Sequence, residues 1–302
     1  MTKRNNSATV TLDDEGIRLD RWFKRNRKEI AFTIIAKLLR KGLIRINGKR
    51  AEISSKLDNG DIITYPLIEA REEIFEKSPN GKMKKAILDS VIFKDENIIV
   101  LNKPAGMAVQ GGTNIKDCVD DLAEFLKFGY DQKPKLVHRI DKETSGLLIL
   151  ARKTNIAAKL AELFRSKEVT KNYIAILVGV PKPNAGTIKT EIESEDKKKK
   201  QFSISNYEVL DYAANEYCLC NLEPVTGRKH QLRVHAAHIE TPILGDAKYS
   251  KRNPQININQ KFMYLHAYKI SFNLMGKKYS LKAQVPPHFK SAFKELGLTL
   301  SE

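Results

Sequence analysis

The chain has 302 residues, of which 41% are hydrophobic and 29% charged, a composition that fits a globular protein of about two domains. No apolar run approaches the ~18 residues of a membrane span, and the first residues lead into no apolar signal core. Lysine and arginine number 53 against 36 acidic residues, and this net charge of +17 favours a polyanionic partner, usually nucleic acid. The three cysteines form no disulfide framework, so we expect a cytoplasmic protein.

The N-terminal part of the chain predicts a small domain. We expect a tail over residues 1–12 that ends in one short strand at 8–12, and a first domain over residues 13–70. Apolar residues at helical spacing predict a helix around residues 19–23 and a second around residues 34–39, which Gly42 ends. Strands are expected at 43–46 and 62–65, and Asn47-Gly48 is a strong hairpin signal.

Positive charge is concentrated in this first domain. Residues 17–50 contain twelve lysines and arginines against two acids, Asp20 and Glu29. Two short helices with a basic outer face can lie along the phosphates of a folded RNA, although the same pattern also fits an ordinary solvated helix face. The residues that we expect to bind RNA are Arg18, Arg21, Lys37, Arg40, Lys41 and Arg45.

The same stretch resembles the S4-type RNA-binding domain. The matching segments are RLDR at 18–21, KLLRKG at 37–42, IRING at 44–48 and DNGD at 58–61. Phe32 departs from the pattern, because such domains usually carry serine or another small polar residue there. The start of the second helix therefore has no obvious cap.

A linker is predicted over residues 71–85, where charges, Pro79 and Gly81 show little periodicity, and a second domain over residues 86–302. This domain reads as strand-rich with a few helices, which indicates the α+β class. Strands are expected at 90–93, 98–101, 147–150, 171–179, 217–222, 262–267, 269–274 and 279–284. A hairpin is expected within 187–209, with a basic tip at 195–200. Helices are expected at 117–128, 155–164, 230–238 and 289–296.

The stretch at 136–150 concentrates polar groups directly before a buried strand. His138, Arg139, Asp141 and Glu143 precede an apolar run, and residues 144–146 read as the turn between the two halves. A carboxylate just before a tight turn is rigidly placed, as a catalytic acid must be. A surface ion-pair cluster would give the same pattern, so both interpretations remain open on the residues alone.

The sequence gives weaker support for a metal site, a serine nucleophile or a nucleotide-binding loop. His230, His235 and His238 fall within nine residues and could share a metal, but no HExxH pattern accompanies them. Ser145, His138 and Asp141 lie close in sequence, yet the Gly-x-Ser-x-Gly of a nucleophile elbow is missing. The glycines at 111–112 lack the spacing of a nucleotide P-loop.

Six segments in order resemble the RluA-type pseudouridine synthases. They are NKPAG at 102–106, HRIDKETSGLL at 138–148, KNYIA at 171–175, GRKHQLRVH at 227–235, PILGD at 242–246 and LHA at 265–267. With the S4-like domain in front, the chain from about residue 13 onward is similar to the branch of that family that acts on bacterial large-subunit ribosomal RNA. Within that branch, residues 39–42 and Ile140 favour the C type over the D type. Lys229 departs from the family's usual threonine.

This resemblance implies a mixed, mainly antiparallel sheet and the isomerisation of uridine to pseudouridine, without cofactor or metal. It makes Asp141 the catalytic carboxylate. Arg139 would handle the flipped-out nucleotide or fill its gap, Tyr173 would stack on the uracil, and Arg233 would pair with Asp141, with Leu265 also in the active site. It further implies large-subunit ribosomal RNA as the partner, no membrane and a monomer.

Two rival interpretations make different predictions. A non-catalytic RNA-binding or ribosome-assembly factor would keep all its function after Asp141→Asn. A metal-dependent nuclease that uses His230, His235 and His238 would cleave RNA until a chelator is added.

Overall fold

The computed structural model describes residues 5–27, 30, 32–66, 81–111, 117–193, 199–250 and 261–301. The chain divides into two compact units, Met1–Ser78 and Pro79–Glu302. No helix in the described part is both long enough and apolar enough to cross a membrane. Most of the predicted linker and of the predicted basic tip, namely residues 71–80 and 195–198, lies outside the described residues.

The first unit combines two short helices with a small sheet. Its elements are β1 (Asn5–Thr9), α1 (Leu19–Asn26), α2 (Phe32–Arg40), β2 (Arg45–Ile46), β3 (Lys49–Arg50) and β4 (Ile62–Pro66). The sheet has the antiparallel order β1-β4-β2-β3. Asn47 and Gly48 both have positive φ angles, 49° and 76°, which is the turn expected between β2 and β3.

Both predicted helices of this unit bury the side chains that their spacing indicated. Leu19, Trp22 and Phe23 of α1 pack in one cluster with Leu39 of α2 and Tyr65 of β4. The rings of Trp22 and Phe23 meet edge to face at 5.3 Å, and Phe23 contacts Tyr65 in the same way at 5.4 Å. The unit therefore has an apolar core of its own.

The strand predicted over residues 8–12 begins earlier in the structure. Residues 5–9 form β1, which pairs with β4 in the register Asn5↔Pro66 to Thr9↔Ile62. The first residues of β1 are polar and weakly patterned, so the sequence placed the strand three residues too late. Its backbone is ordered by the free edge of β4, which only the tertiary structure provides.

The second unit is built on one large sheet. Its elements are α3 (Gly81–Asp89), β5 (Val91–Lys94), β6 (Ile98–Lys103), α4 (Val119–Leu122), β7 (Lys135–Leu136), β8 (Ser145–Ala151), α5 (Thr154–Arg165), β9 (Thr170–Val178), β10 (Ala185–Glu193), β11 (Lys200–Ala213), β12 (Tyr217–Pro224), α6 (Gln231–His238), β13 (Leu265–Leu274), β14 (Lys277–Lys282) and α7 (Pro287–Leu296). The strand order is β10-β11-β12-β9-β13-β8-β6-β5, with β14 added on β13 and β7 on β8. Only the β13–β8 pair is parallel among the described strand pairs, so the predicted α+β class with a mainly antiparallel sheet is confirmed.

Three predicted elements of this unit differ in the structure. Residues 81–85, expected in the linker, begin α3, which buries Ile87 in the core. The helix expected over 117–128 is α4 followed by a 3-10 turn, Ala123–Leu126. The two strands expected at 262–267 and 269–274 are the single strand β13, because a bulge between Ala267 and Lys269 absorbs the break in alternation.

Helices cover both faces of the strands that lead to the site. On one face of β9 and β12, Ala175, Cys218 and Cys220 pack with Leu232 and Ala236 of α6. The opposite face packs on α7. Cys218 and Cys220 share one face, as their spacing predicted, and both are free thiols. The strand β8 is buried along its whole length and lies between β13 and β6.

Candidate active site

A cavity of about 490 Å³ lies in the second unit, where β8 begins. Its walls are the loop before β8, the end of α5, the start of β9, the turn from β12 into α6 and the start of β13. The structure brings all five residues predicted for the active site into this lining: Arg139, Asp141, Tyr173, Arg233 and Leu265. These residues come from four separate segments of the chain, which only the folded sheet brings together.

The loop that carries Asp141 is tied down by its backbone. The Thr144 N–H donates to the Asp141 carbonyl at 3.1 Å, so the turn spans residues 141–144 and ends where β8 begins at Ser145. The turn therefore closes before residues 145 and 146, which the sequence had placed within it. The Lys142 carbonyl accepts from the Gly106 N–H at 2.8 Å, which joins this loop to the loop after β6.

Lys103, at the end of β6, also connects these two loops. Its ammonium is fully buried and donates to the carbonyls of Pro104, Met107 and Lys142 at 3.0, 2.8 and 3.1 Å. Three carbonyls match the three N–H donors of an ammonium. Burial lowers the pKa of Lys103 to about 7, while the negative charges of Glu143 and Asp141 act in the opposite direction. The buried Lys103 side chain thus holds the backbone directly beside Asp141.

Gly146 allows β8 and β13 to approach closely behind the loop. Its φ angle is +107°, and a Cβ at this position would lie 2.3 Å from the Ala267 carbonyl oxygen. In the parallel pairing, Ser145 lies opposite His266 and Gly146 opposite Ala267. The Ser145 hydroxyl also makes a buried hydrogen bond with His266 Nδ1 at 2.9 Å. The base of the Asp141 loop is therefore fixed on its second side as well.

Arg233 of α6 faces Asp141 across the cavity. Its Nε and one terminal nitrogen donate to both oxygens of Asp246 at 2.7 and 2.8 Å, and the other terminal nitrogen lies 3.5 Å from Asp141 Oδ2. Burial alone would raise the pKa of Asp246, but hydrogen bonds and charge from Arg233 outweigh it and lower that pKa. The backbone N–H groups of Lys248 and Tyr249 also donate to Asp246 Oδ1. Asp246 therefore orients the guanidinium, and Arg233 presents its remaining edge to Asp141.

Tyr173 and His230 complete the surroundings of Asp141. Burial raises the pKa of the Tyr173 hydroxyl, and the charge of Asp141 raises it further, so the phenol stays protonated at neutral pH. His230 Nε2 lies 3.9 Å from Asp141 Oδ1, and its Nδ1 makes a 2.9 Å hydrogen bond with the Tyr249 hydroxyl. Burial lowers the pKa of His230, although Asp141 opposes the shift. Asp141 therefore has a guanidinium nitrogen at 3.5 Å and an imidazole nitrogen at 3.9 Å within the cavity.

His138 supports the loop through its ring. Its Nε2 accepts from the Ile149 N–H at 2.9 Å, and the ring stacks on Phe164 of α5 with centroids 4.5 Å apart. Burial, and then the charge of Lys171, lower the pKa of His138 to about 3, so the ring is neutral and able to accept that bond. This contact links the end of α5 to the loop that carries Asp141.

The histidines considered for a metal site have separate partners. His230 contacts Tyr249 at the cavity, whereas His235 is buried and hydrogen-bonded to the Ser203 hydroxyl at 2.8 Å. In the part of the chain that the structure describes, no group of three or more His, Cys, Asp or Glu side chains could hold a metal ion.

Comparison with known proteins identifies the family to which this site belongs. The family model described as RNA pseudouridylate synthase matches residues 97–238, which include the Asp141 loop, β9 and α6. The ribosomal large subunit pseudouridine synthase C of Rickettsia conorii is 37% identical over 291 residues, which cover 90% of this chain and 95% of that protein. The chain belongs to the RNA pseudouridylate synthase family. The resemblance predicted from the six ordered motifs is confirmed, and with it the enzyme class.

Two further RNA pseudouridylate synthases extend the likeness. RNA pseudouridine synthase 4, mitochondrial, of Arabidopsis thaliana is 36% identical over 300 residues, covering 81% of this chain and 61% of that protein. The solved structure of human RNA pseudouridylate synthase domain containing 4 superposes with a TM-score of 0.65 at 31% identity. It covers 73% of this chain and 98% of that structure. The fold expected from the family resemblance is thus present in a solved relative.

The structure exposes all six residues predicted to bind RNA in the first unit: Arg18, Arg21, Lys37, Arg40, Lys41 and Arg45. Arg18 is paired with Asp20 at 3.1 Å, and Arg45 donates to the carbonyls of Gly42 and Gly48. The other four are placed on exposed positions of α1, α2 and the turn that follows α2. Their role in this pseudouridylate synthase stays a prediction.

Sequence reasoning assigned no role to Asp246 or Lys103 and considered His230 only as a metal ligand, although each stands in one of the family motifs. A signal was present for the first two. Asp246 is an acid directly after an apolar run and a glycine, and Lys103 follows a buried strand and precedes a proline. A charged residue at such a position is buried only if it is paired, which marks it as a candidate for a structural ion pair.

Proposed function

We propose that this enzyme isomerises specific uridines of bacterial large-subunit ribosomal RNA to pseudouridine, with Asp141 as the catalytic carboxylate. The observation that carries the proposal is the position of Asp141, in the cavity lining between Arg233 and Tyr173. The ribosomal RNA substrate is drawn from the relative in Rickettsia conorii and agrees with the net charge of +17.

The chemistry balances without an added reactant. The N1–C1′ bond of uridine breaks, the uracil turns, and a C5–C1′ bond forms, while the proton at C5 leaves and N1 gains a proton. Asp141 can attack C1′ or a ring carbon as a nucleophile, stabilise an oxocarbenium-like sugar, or take the 2′ proton to give a glycal. Each of these routes needs an ionised carboxylate within reach of the sugar or of the base. No redox change occurs, so we propose that no cofactor takes part.

The neighbours of Asp141 have separate proposed roles. Arg233, oriented by Asp246, pairs with the carboxylate and aims it. The Tyr173 ring stacks on the uracil, and its hydroxyl stays protonated at neutral pH. Leu265, which is almost fully buried in the cavity lining, limits the depth to which the base can enter. Arg139 is exposed at the rim, where it can hold the displaced nucleotide or occupy the gap it leaves.

The first unit is proposed to act as an S4-like RNA-binding domain that adds affinity without taking part in the chemistry. Its six exposed cations would contact phosphates, so binding should weaken steeply as salt rises. We further propose that the enzyme works as a monomer in the cytoplasm, where bacterial ribosomal RNA is made.

The test is incubation with large-subunit ribosomal RNA that carries tritium at uracil C5. Tritium is released when C5 loses its hydrogen, so the unaltered enzyme should release it without cleaving the strand. Asp141→Asn should lower the rate by about a thousandfold or more, because the amide can neither attack nor accept the proton. Asp131→Asn makes the same chemical change at an exposed loop position outside the cavity, and it should retain the full rate.

The two rival functions give different results in the same assay. A non-catalytic RNA-binding factor would bind the labelled RNA and release no tritium. A metal-dependent nuclease would shorten the RNA until a chelator stops it. Release that persists after Asp141→Asn would rule out the proposed role of that residue.

A further inference from the structure

The rim of the cavity carries more positive charge than the proposed chemistry uses. Besides Arg139 and Arg233, four cations line it: Arg165, Lys167, Lys171 and Arg228. Asp141 is the only carboxylate of the lining, which lies wholly within the described residues. Arg165, Lys167 and Lys171 come from the end of α5 and the start of β9, and so they form one side of the cavity. No salt bridge joins any of these three to another described residue.

The backbone holds Lys167 at a position that usually favours glycine. Lys167 follows the last turn of α5 and has a φ angle of +64°. The Ser166 N–H donates to the Glu162 carbonyl and the Glu168 N–H to the Leu163 carbonyl, which closes the end of the helix around it. A side chain other than glycine costs about 1 kcal/mol in this conformation. The chain nevertheless places a lysine here, and that lysine lines the cavity.

The end of α5 is also fixed relative to Asp141. Phe164, one residue before Arg165, stacks on His138, and His138 accepts a hydrogen bond from the Ile149 N–H of β8. The cavity side of α5 and the loop of Asp141 are thereby joined through two contacts. The backbone that carries Arg165 and Lys167 is consequently held at a fixed position relative to Asp141.

Lys171 lies on β9 beside Tyr173. It lies two residues before Tyr173 on β9, so both side chains point to the same face of the strand, and both line the cavity. Burial lowers the pKa of Lys171, while the charge of Glu223 opposes the shift without reaching salt-bridge distance. A half-buried ammonium with no salt-bridge partner among the described residues is available to pair with an anion that a ligand supplies.

We propose that Arg165, Lys167 and Lys171 form a phosphate-binding subsite for the RNA backbone directly next to the uridine that enters the cavity. The inference rests on the proposed function and specifies how its substrate is held. A uridine whose sugar reaches Asp141 keeps its 5′ and 3′ phosphates, so the backbone must cross the rim on either side of it. The cations of α5 and β9 receive the phosphate on one side, and they orient the strand without touching the reacting atoms.

A structural role is the alternative for Arg165. Cations in the last turn of a helix interact favourably with its dipole, and Arg165 stands in that turn of α5. Such a role would appear in the stability of the protein and not in the salt dependence of RNA binding. Lys171 on β9 has no helix terminus of its own to serve.

The experiment compares variants of the full chain in RNA binding and in tritium release over a series of salt concentrations. The probe is the tritiated large-subunit ribosomal RNA transcript. Lys167→Gly keeps the positive φ angle and removes only the side chain, so it should fold at least as well as the unaltered protein. The second variant is the double change Arg165→Gln with Lys171→Gln. Lys159→Gln, on an exposed position of α5 outside the cavity lining, is the matched control.

For each lost contact, the slope of log binding constant against log salt should become shallower by about 0.7, the value for a single strand. At low salt, KM should rise roughly tenfold in Lys167→Gly and further in the double variant, while kcat changes little. Lys159→Gln should behave as the unaltered enzyme does. Unchanged slopes in both test variants would overturn the phosphate subsite.

The two proposals can fail separately in this design. If the unaltered enzyme releases no tritium, the proposed function fails, while the salt slope of RNA binding still tests the subsite. If tritium is released and the slopes of the variants match that of Lys159→Gln, only the subsite is wrong. A fall in melting temperature of the double variant with unchanged slopes would assign Arg165 and Lys171 to stability alone.

Discussion

Gly146 shows how one residue decides whether Asp141 can be presented. Replacement by alanine would place a methyl group 2.3 Å from the Ala267 carbonyl oxygen and would keep φ at +107°, which alanine rarely adopts. Neither strand can shift easily to make room for the methyl group, because β8 and β13 are both interior strands of the sheet. We expect Gly146→Ala to lower the free energy of unfolding by more than about 3 kcal/mol, measured by chemical denaturation.

Gly276→Ala is the control for that prediction. Gly276 also has a positive φ angle, +79°, but nothing lies within 4 Å of its missing Cβ. Its alanine variant should lose only about 1 kcal/mol, the cost of the backbone conformation. Equal losses in the two variants would show that the close approach of β8 and β13 is unimportant.

At the scale of elements, Asp95 joins the turn between β5 and β6 to β14. Its Oδ1 accepts from the backbone N–H groups of Asn97 and Ile98, both at 2.9 Å. Its Oδ2 accepts from the Tyr279 hydroxyl at 2.7 Å and the Lys277 ammonium at 3.0 Å. Burial alone would raise the pKa of Asp95, but these hydrogen bonds outweigh it and lower the pKa to about 2. The carboxylate therefore ties the edge of the sheet to a hairpin that is distant in sequence.

The stability of this joint should depend on pH in a defined direction. Because the pKa is lower in the folded chain than the unfolded value of 3.8, the carboxylate stabilises the fold above that pH, and its contribution is lost as pH falls toward 2. Asp95→Asn should cost about 1–3 kcal/mol at neutral pH. The difference from the unaltered protein should shrink between pH 4 and pH 2 in acid denaturation curves. A gap that stays constant through this range would contradict the assignment.

At the scale of the whole molecule, the two units have separate cores. The apolar clusters of the described residues each fall within one unit, and the cavity residues all belong to the second. We expect residues 79–302 to fold cooperatively without the first unit and to keep kcat within a few-fold. KM for ribosomal RNA should rise by about tenfold or more, with a shallower salt dependence, because the phosphate contacts of the first unit are lost.

Kinetics of tritium release by the truncated chain would check this division of labour. Circular dichroism and a single melting transition would establish that the fragment is folded. A folded fragment with unchanged KM would show that the first unit does not contribute to RNA binding, whereas a fall in kcat alone would assign it a part in catalysis.

Local patterns predicted the elements whose side chains repeat with a clear period. The apolar run at 147–150 became β8, the helical spacing of Leu19, Trp22 and Phe23 became α1, and Asn47-Gly48 became a hairpin turn. Patterns failed where neighbours in space supply the order. The polar start of β1 depends on the edge of β4, so this strand begins three residues before its predicted position, and the charged start of α3 hides a helix in which only Ile87 is fully buried. Propensity is a weak prior that such tertiary contacts override.

The sequence by itself determined the chemical groups of this protein and the segments that carry them, namely Asp141 before a buried strand, Tyr173 on a strand, Arg233 on a helix and an excess of positive charge. The tertiary structure alone decided which of these groups meet. It placed Arg233 closer to Asp246 than to Asp141, and it brought Lys103 into contact with the loop that carries Asp141. The reason is physical: contacts between residues 103, 141, 233 and 246 depend on strand order and register, and local periodicity carries no information about either.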